Sequence, residues 1–192
     1  MSLAHEQQLE DEYVMHTFGR KPVELVSGHG MTVVDDEGKT YLDFIAGIGA
    51  CSLGHCHPAV TGAIAKQAET LIHVSNYYYI EHRGEVAKLL SDMLNDGVAE
   101  ADAEPWQTFF ANSGAEANEC AIKLARVYAR RKAEAEGRDP ESAPRVIVTL
   151  KKSFHGRTLA TLAATAQPSK QELFQPLPDG FIATPQNDVE AL

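Results

Sequence analysis

Two short stretches carry the residue types best suited to chemistry. In FFANSGAEANECAIKLARVYARR, residues 109–131, an apolar run stops at Asn112-Ser113-Gly114-Ala115 and a strongly helical pattern follows. Ser113 with Glu116 three residues on has the spacing of a capping box. Gly114 and Ala115 are small enough for a ligand to approach the main chain. A helix start offers partial positive charge and N–H donors that no carbonyl of the same helix takes up, which suits a phosphate. Most such starts are plain caps, so the turn alone fits a cap and an anion site alike. The second stretch is KKSFHGRT, residues 151–158. Phe154 has a face to stack on a planar ring, His155 a hydrogen bond to donate, and Arg157 a bidentate grip for a carboxylate. Alone, this loop also reads as a core phenylalanine beside an exposed charge.

Two further constellations are less specific. His55, Cys56 and His57 in GHCHP are consecutive, whereas zinc ligands are separated along the chain. A loop entering a proline-started helix accounts for them, and no metal is expected. In HVSNYYYIEHR, residues 73–83, the tyrosines fit an aromatic substrate pocket and a dimer interface equally well.

The elements that position these residues follow from periodicity. Residues 4–16 read as a polar helix or arm. VELVSG, MTVVDDEGK and TYLDFIAG are short β-branched runs parted by glycine-bearing turns, which predicts a small antiparallel meander. GIGACSLGHCHP is an irregular loop. PAVTGAIAKQAETL, with Pro58 at a first-turn position, and HRGEVAKLLSDMLN read as helices. After the acidic linker VAEADAEP, the pattern becomes strand WQTFFAN, helix 113–137, connection RDPESAP and strand RVIVTL. That βαβ order predicts a mostly parallel α/β sheet, whose ligands gather at the carboxyl ends of the strands. Both candidate stretches lie at such ends. We divide the chain into an N-terminal segment, residues 1–104, and the first part of a larger α/β domain, residues 105–192. Two strands are too few for a stable open sheet, and NDVEAL reads as a helix start with Asn187 or Asp188 as cap, so further protein is expected to follow.

Bulk properties set the class. Seventeen basic against 27 acidic residues give a net charge of −10, which disfavours nucleic acid as partner. A hydrophobic fraction of 44% with 23% charged residues is that of a soluble globular chain, and no apolar run is long enough to span a membrane. Three cysteines without a CxxC pair favour a reducing compartment, with the cytoplasm as default.

In series, YLDFIAGIGACSLGHCHP, SNYYY, FFANSGAEANECAIKLAR, SFHGRT and NDVEAL resemble the class-III, fold-type I aminotransferases that depend on pyridoxal 5′-phosphate (PLP). Within that class the segments look nearest to enzymes acting on N-acetylornithine. The resemblance implies an α/β fold of the PLP-transferase type, with an N-terminal helix and meander followed by part of the large domain. It matches Ser113, Gly114 and Ala115 to the phosphate-binding turn, and Phe154 to the aromatic that stacks on the pyridine ring. His155 is grouped with these cofactor residues. Arg157 matches the arginine for the substrate carboxylate, and Asn76 and Tyr77 an active-site edge near a dimer interface. Gly47–Gly49 matches the family's glycine-rich segment, while Cys51 stands where relatives often have asparagine.

The implied reaction moves an amino group from an ω-amine to 2-oxoglutarate, in arginine biosynthesis, by a homodimer. Donors such as ornithine, succinylornithine or 4-aminobutyrate are the near alternatives; a non-catalytic phosphate-ligand module is the distant one. No lysine of this chain matches the Schiff-base motif. The catalytic lysine is expected beyond Leu192, and the 192 residues alone are expected to be inactive.

Overall fold

Alternation along the meander shows why it forms. In β2 (Thr32–Asp35), Val33 and Asp35 are buried while Thr32 and Val34 are half exposed, the period of two that a one-sided sheet requires. The computed structural model describes residues 2–191. β1 (Leu25–His29), β2 and β3 (Thr40–Leu42) form an antiparallel sheet in that order, with an irregularity between Leu25 and Ser27. The β2–β3 turn is shaped by Asp35. Its Oδ1 accepts from the N–H groups of Glu37 at 3.1 Å and Lys39 at 2.8 Å, and its Oδ2 accepts from the Tyr41 hydroxyl at 2.7 Å. Those donors, Tyr41 first, hold the Asp35 carboxyl below the usual range. Helix α1 (Leu3–Tyr13) is tied to the same turn by Leu3 N–H on Asp36 Oδ2 at 2.8 Å. Helix α2 (Pro58–Thr70) begins on Pro58, whose missing N–H costs nothing in a first turn.

The chain divides into two compact units, residues 1–80 and residues 81–192. The second holds α3 (Arg83–Leu94), α4 (Gly114–Ala135), β4 (Ile147–Leu150), α5 (Leu159–Ala164), α6 (Pro168–Gln171) and β5 (Phe181–Thr184). β4 and β5 pair in parallel, with Ile147 opposite Phe181 and Leu150 opposite Thr184. Ile122 and Ala133 of α4, Ala143, and Leu162 and Ala164 of α5 are its buried apolar side chains. Arg126 of α4 joins the starts of both strands, donating to the carbonyls of Arg145 at 3.3 Å and Asp179 at 3.2 Å.

Two expected elements differ. Residues 106–112, read as a strand, pair with no strand among the described residues; the apolar run supplies the propensity, but a strand exists only with a hydrogen-bonded neighbour. The parallel pair is therefore built from 147–150 and 181–184, with α5 and α6 between them in sequence. The helix expected at NDVEAL is a turn. Asp188 Oδ1 does accept from Ala191 N–H at 3.1 Å, a cap-like bond, but no helix follows it among the described residues. No helix among the described residues is long and apolar enough to cross a membrane.

Candidate active site

Helix α4 begins where the sequence places it. Ser113 is extended, at φ −154° and ψ 160°, and its Oγ accepts from Glu116 N–H at 3.2 Å. The Glu116 carboxylate does not return to the Ser113 N–H, as a standard capping box would have it. It accepts instead from Asn112, at 2.6 Å from the main-chain nitrogen and 3.4 Å from Nδ2. The reciprocal bond has moved one residue upstream. The N–H groups of Ser113, Gly114 and Ala115 consequently have no acceptor among the described residues. A Cβ built on Gly114 would meet nothing within 4 Å, so the approach to these donors is open.

The loop 153–158 is seated on this helix start by close packing and a hydroxyl network. A Cβ on Gly156, at φ +138°, would lie 2.7 Å from Ala115 Cβ and 2.6 Å from Thr161 Oγ1, so the contact admits no side chain. Asn118 Nδ2 donates to the His155 carbonyl at 2.8 Å. Fully buried Thr165 accepts from His155 N–H at 2.9 Å and donates to the Thr161 carbonyl at 2.9 Å. The Thr158 hydroxyl bonds Glu119 of α4 and lies 2.7 Å from Thr161 Oγ1. Buried hydroxyls are costly unless paired, so this set holds the loop in one arrangement.

That arrangement leaves Phe154 57% exposed. The Arg157 guanidinium lies 5.8 Å from its ring centroid and the Lys170 ammonium 5.5 Å. Arg157 forms no ion pair among the described residues. Unclaimed helix-start N–H groups, an available ring face and two cations thus collect in one unit. This donor set fits a phosphorylated planar cofactor together with an anionic substrate. His155 contributes chiefly through its main chain; its Nδ1 is 3.4 Å from Ser153 Oγ.

Asn76 and Tyr77 belong to the first unit, in a turn where Tyr77 N–H donates to Ser75 Oγ at 3.2 Å and the Tyr77 side chain is 93% exposed. His55 of GHCHP pairs with Asp43, Nε2 to Oδ2 at 2.7 Å. That bond, with the N–H groups of Ala46 and Ile45, keeps the Asp43 carboxyl below the usual aspartate range. Among the described residues, no group of three or more His, Cys, Asp or Glu side chains is placed to hold a metal ion. Asn118, Glu119, Thr158, Thr161, Thr165 and Lys170 escaped the sequence reading. Only Asn118 and Glu119, polar residues inside SGAEANE just past the turn, and Thr158, the last residue of SFHGRT, carried any signal.

Open helix-start N–H groups beside an exposed aromatic on the loop after β4, in a unit with a parallel strand pair, are compatible with the fold-type I PLP-dependent aminotransferases. The class-III aminotransferase family model matches residues 15–192, and the chain belongs to that family. It is 50% identical over 182 residues to the acetylornithine aminotransferase of a Synechocystis strain, covering 95% of this chain and 39% of that protein. It superposes on the ornithine aminotransferase of Toxoplasma gondii, described with partial PLP occupancy at its active site, with a TM-score of 0.83 at 28% identity, covering 99% of this chain and 41% of that one. The acetylornithine aminotransferase of Elizabethkingia anophelis gives 0.70 at 29% identity, covering 100% and 40%. The chain thus spans about 40% of the length of such relatives. Family and neighbours imply PLP as the cofactor.

Proposed function

We propose that this chain is the N-terminal part of an aminotransferase moving an amino group from N-acetylornithine to 2-oxoglutarate. Its placement of unclaimed N–H groups at 113–115 beside Phe154 and Arg157 carries the reading. Similarity to acetylornithine aminotransferases supports the donor. When bound, PLP supplies the electron sink for amino transfer. The residues here do the rest: Ser113, Gly114 and Ala115 hold the phosphate, Phe154 covers a ring face, and His155 fixes the loop between them. Arg157 orients the substrate carboxylate, and the family resemblance assigns Asn76 and Tyr77 a substrate-binding role. The PLP-binding part begins near residue 105.

The setting this reading implies is a homodimer in the cytoplasm, serving arginine biosynthesis. None of the lysines present matches the family's Schiff-base motif, and in this reading the 192 residues alone carry no transaminase activity.

The test uses the longer protein carrying the lysine-bearing remainder of the family domain. It should absorb in the visible when PLP is added and should turn over N-acetylornithine faster than ornithine, succinylornithine or 4-aminobutyrate. Arg157→Ala should raise the KM for donor with PLP still bound. PLP binding without transamination of any ω-amine would refute the reaction; faster turnover of another donor would reassign the substrate.

A further inference from the structure

The main chain on both sides of Phe154 is pinned to the segment 165–171. His155 N–H donates to Thr165 Oγ1 at 2.9 Å, and Gln167 Nε2 donates to the carbonyls of Ser153 at 2.9 Å and Lys152 at 3.3 Å. Lys152 N–H in turn donates to the Ala166 carbonyl at 3.0 Å. None of these bonds touches the Phe154 ring. An exposed ring has little packing to select one side-chain torsion, although stacking on a planar cofactor requires one.

Lys170 supplies the missing constraint. It stands in α6, which Gln167 precedes as N-cap residue. Gln171 fastens this helix to the end of α5, its Nε2 donating to the carbonyls of Leu162 at 2.9 Å and Thr165 at 2.7 Å. Helix α6 and the Phe154 loop therefore share one set of anchors. From α6 the Lys170 ammonium reaches to 5.5 Å from the Phe154 ring centroid. Lys170 is half-buried, yet it forms no ion pair among the described residues. A lysine withdrawn from water without a carboxylate is uncommon, and the negative face of an aromatic ring is what this one meets instead.

Arg157 is the other cation near the ring, at 5.8 Å, but it is exposed, and the transaminase reading gives it to the substrate carboxylate. A charge-assisted hydrogen bond outweighs a cation–π contact, so a bound carboxylate draws Arg157 off the ring while Lys170 stays. We infer that Lys170 is a positioning residue: its ammonium holds the Phe154 ring in the orientation that stacks on the pyridine of PLP, including when Arg157 is engaged with substrate. The inference rests on the reading above that Phe154 covers the cofactor ring.

In the longer protein, Lys170→Met keeps the aliphatic stem and removes the charge, whereas Lys170→Arg keeps a cation. PLP affinity, titrated by visible absorbance, should fall about fivefold in the methionine variant and return to near wild type in the arginine variant. The visible circular dichroism of bound PLP, measured at saturation, should change with methionine and recover with arginine; a loss of stability alone would leave it unchanged. In a Phe154→Leu background, Lys170→Met should alter PLP affinity by less than about twofold, because the ring through which it acts is gone. Equal effects in the two backgrounds, unaltered affinity and dichroism, or a loss that arginine does not repair would overturn the inference. If Lys170→Met does not fold, Lys170→Gln replaces it with the same expectations. Should Phe154→Leu alone leave PLP affinity unchanged, the stacking reading fails and the role of Lys170 with it. Should Phe154→Leu weaken PLP binding while Lys170→Met does not, the role of Lys170 fails alone.

Discussion

Asn118 donates its side-chain amide to the carbonyl of His155, 37 residues away, at 2.8 Å. This bond crosses from the second turn of α4 to the loop carrying Phe154 and Arg157. It ties the helix start to the aromatic loop. Asn118→Leu removes the donor and leaves a half-buried carbonyl unpaired, at a cost of about 1–2 kcal/mol. PLP affinity of the longer protein, titrated by visible absorbance, should weaken by about tenfold. Undiminished affinity would detach the loop from cofactor binding.

Gly156 tolerates no side chain. Gly156→Ala forces a methyl against Ala115 and Thr161 and requires an unfavourable φ of +138°. Overpacking and backbone strain together should destabilise the fold by about 2–4 kcal/mol, measured by urea unfolding. A change of a few tenths would mean that the contact relaxes freely.

Ser113→Ala should separate the cap from the proposed phosphate-binding role. Loss of the bond to Glu116 N–H costs about 1 kcal/mol of stability. The main-chain donors of Gly114 and Ala115 survive the change, so PLP should still bind, more weakly. Abolished binding in a folded variant would place the phosphate chiefly on the Ser113 hydroxyl.

Asp43 carries a pH signature. Its carboxyl is held low first by His55 and then by the Ala46 and Ile45 N–H groups. With the folded pKa depressed, its contribution is fully present above the ordinary aspartate value of about 3.9 and is lost as pH falls through the folded value. Asp43→Asn should therefore melt below wild type at neutral pH, and the two curves should converge in acid. A gap unchanged down to a pH of about 2 would contradict the assignment.

Arg126 links the parallel pair to α4 through the carbonyls of Arg145 and Asp179, with its guanidinium 5.5 Å from the Phe181 ring centroid. Arg126→Met keeps the stem and removes the donors. It should cost about 1 kcal/mol in thermal unfolding and leave PLP binding intact, since the contact lies at the strand starts.

What was legible in the sequence was local. The cap at Ser113, the proline start of α2, the meander and the long helix α4 each depend on residues within a few positions of one another, and each is present. The chemistry-bearing types in SGAEANE and SFHGRT were legible for the same reason. Residues 106–112 show the limit: strand propensity was there, but pairing is decided by a neighbour that no local pattern contains.

Tertiary structure alone decided the rest. That Glu116 turns to Asn112 and frees the Ser113 N–H depends on side-chain geometry. That Gly156 meets Ala115, that buried threonines fix the loop, and that Asp43 reaches His55 all depend on contacts between residues distant in sequence. Spacing along a chain specifies helix faces and turns, which have short periods; it carries no comparable signal for a bond that closes over 12 or 37 residues. The sequence by itself determined which groups are available and which helix presents them. Packing determined which of those groups meet.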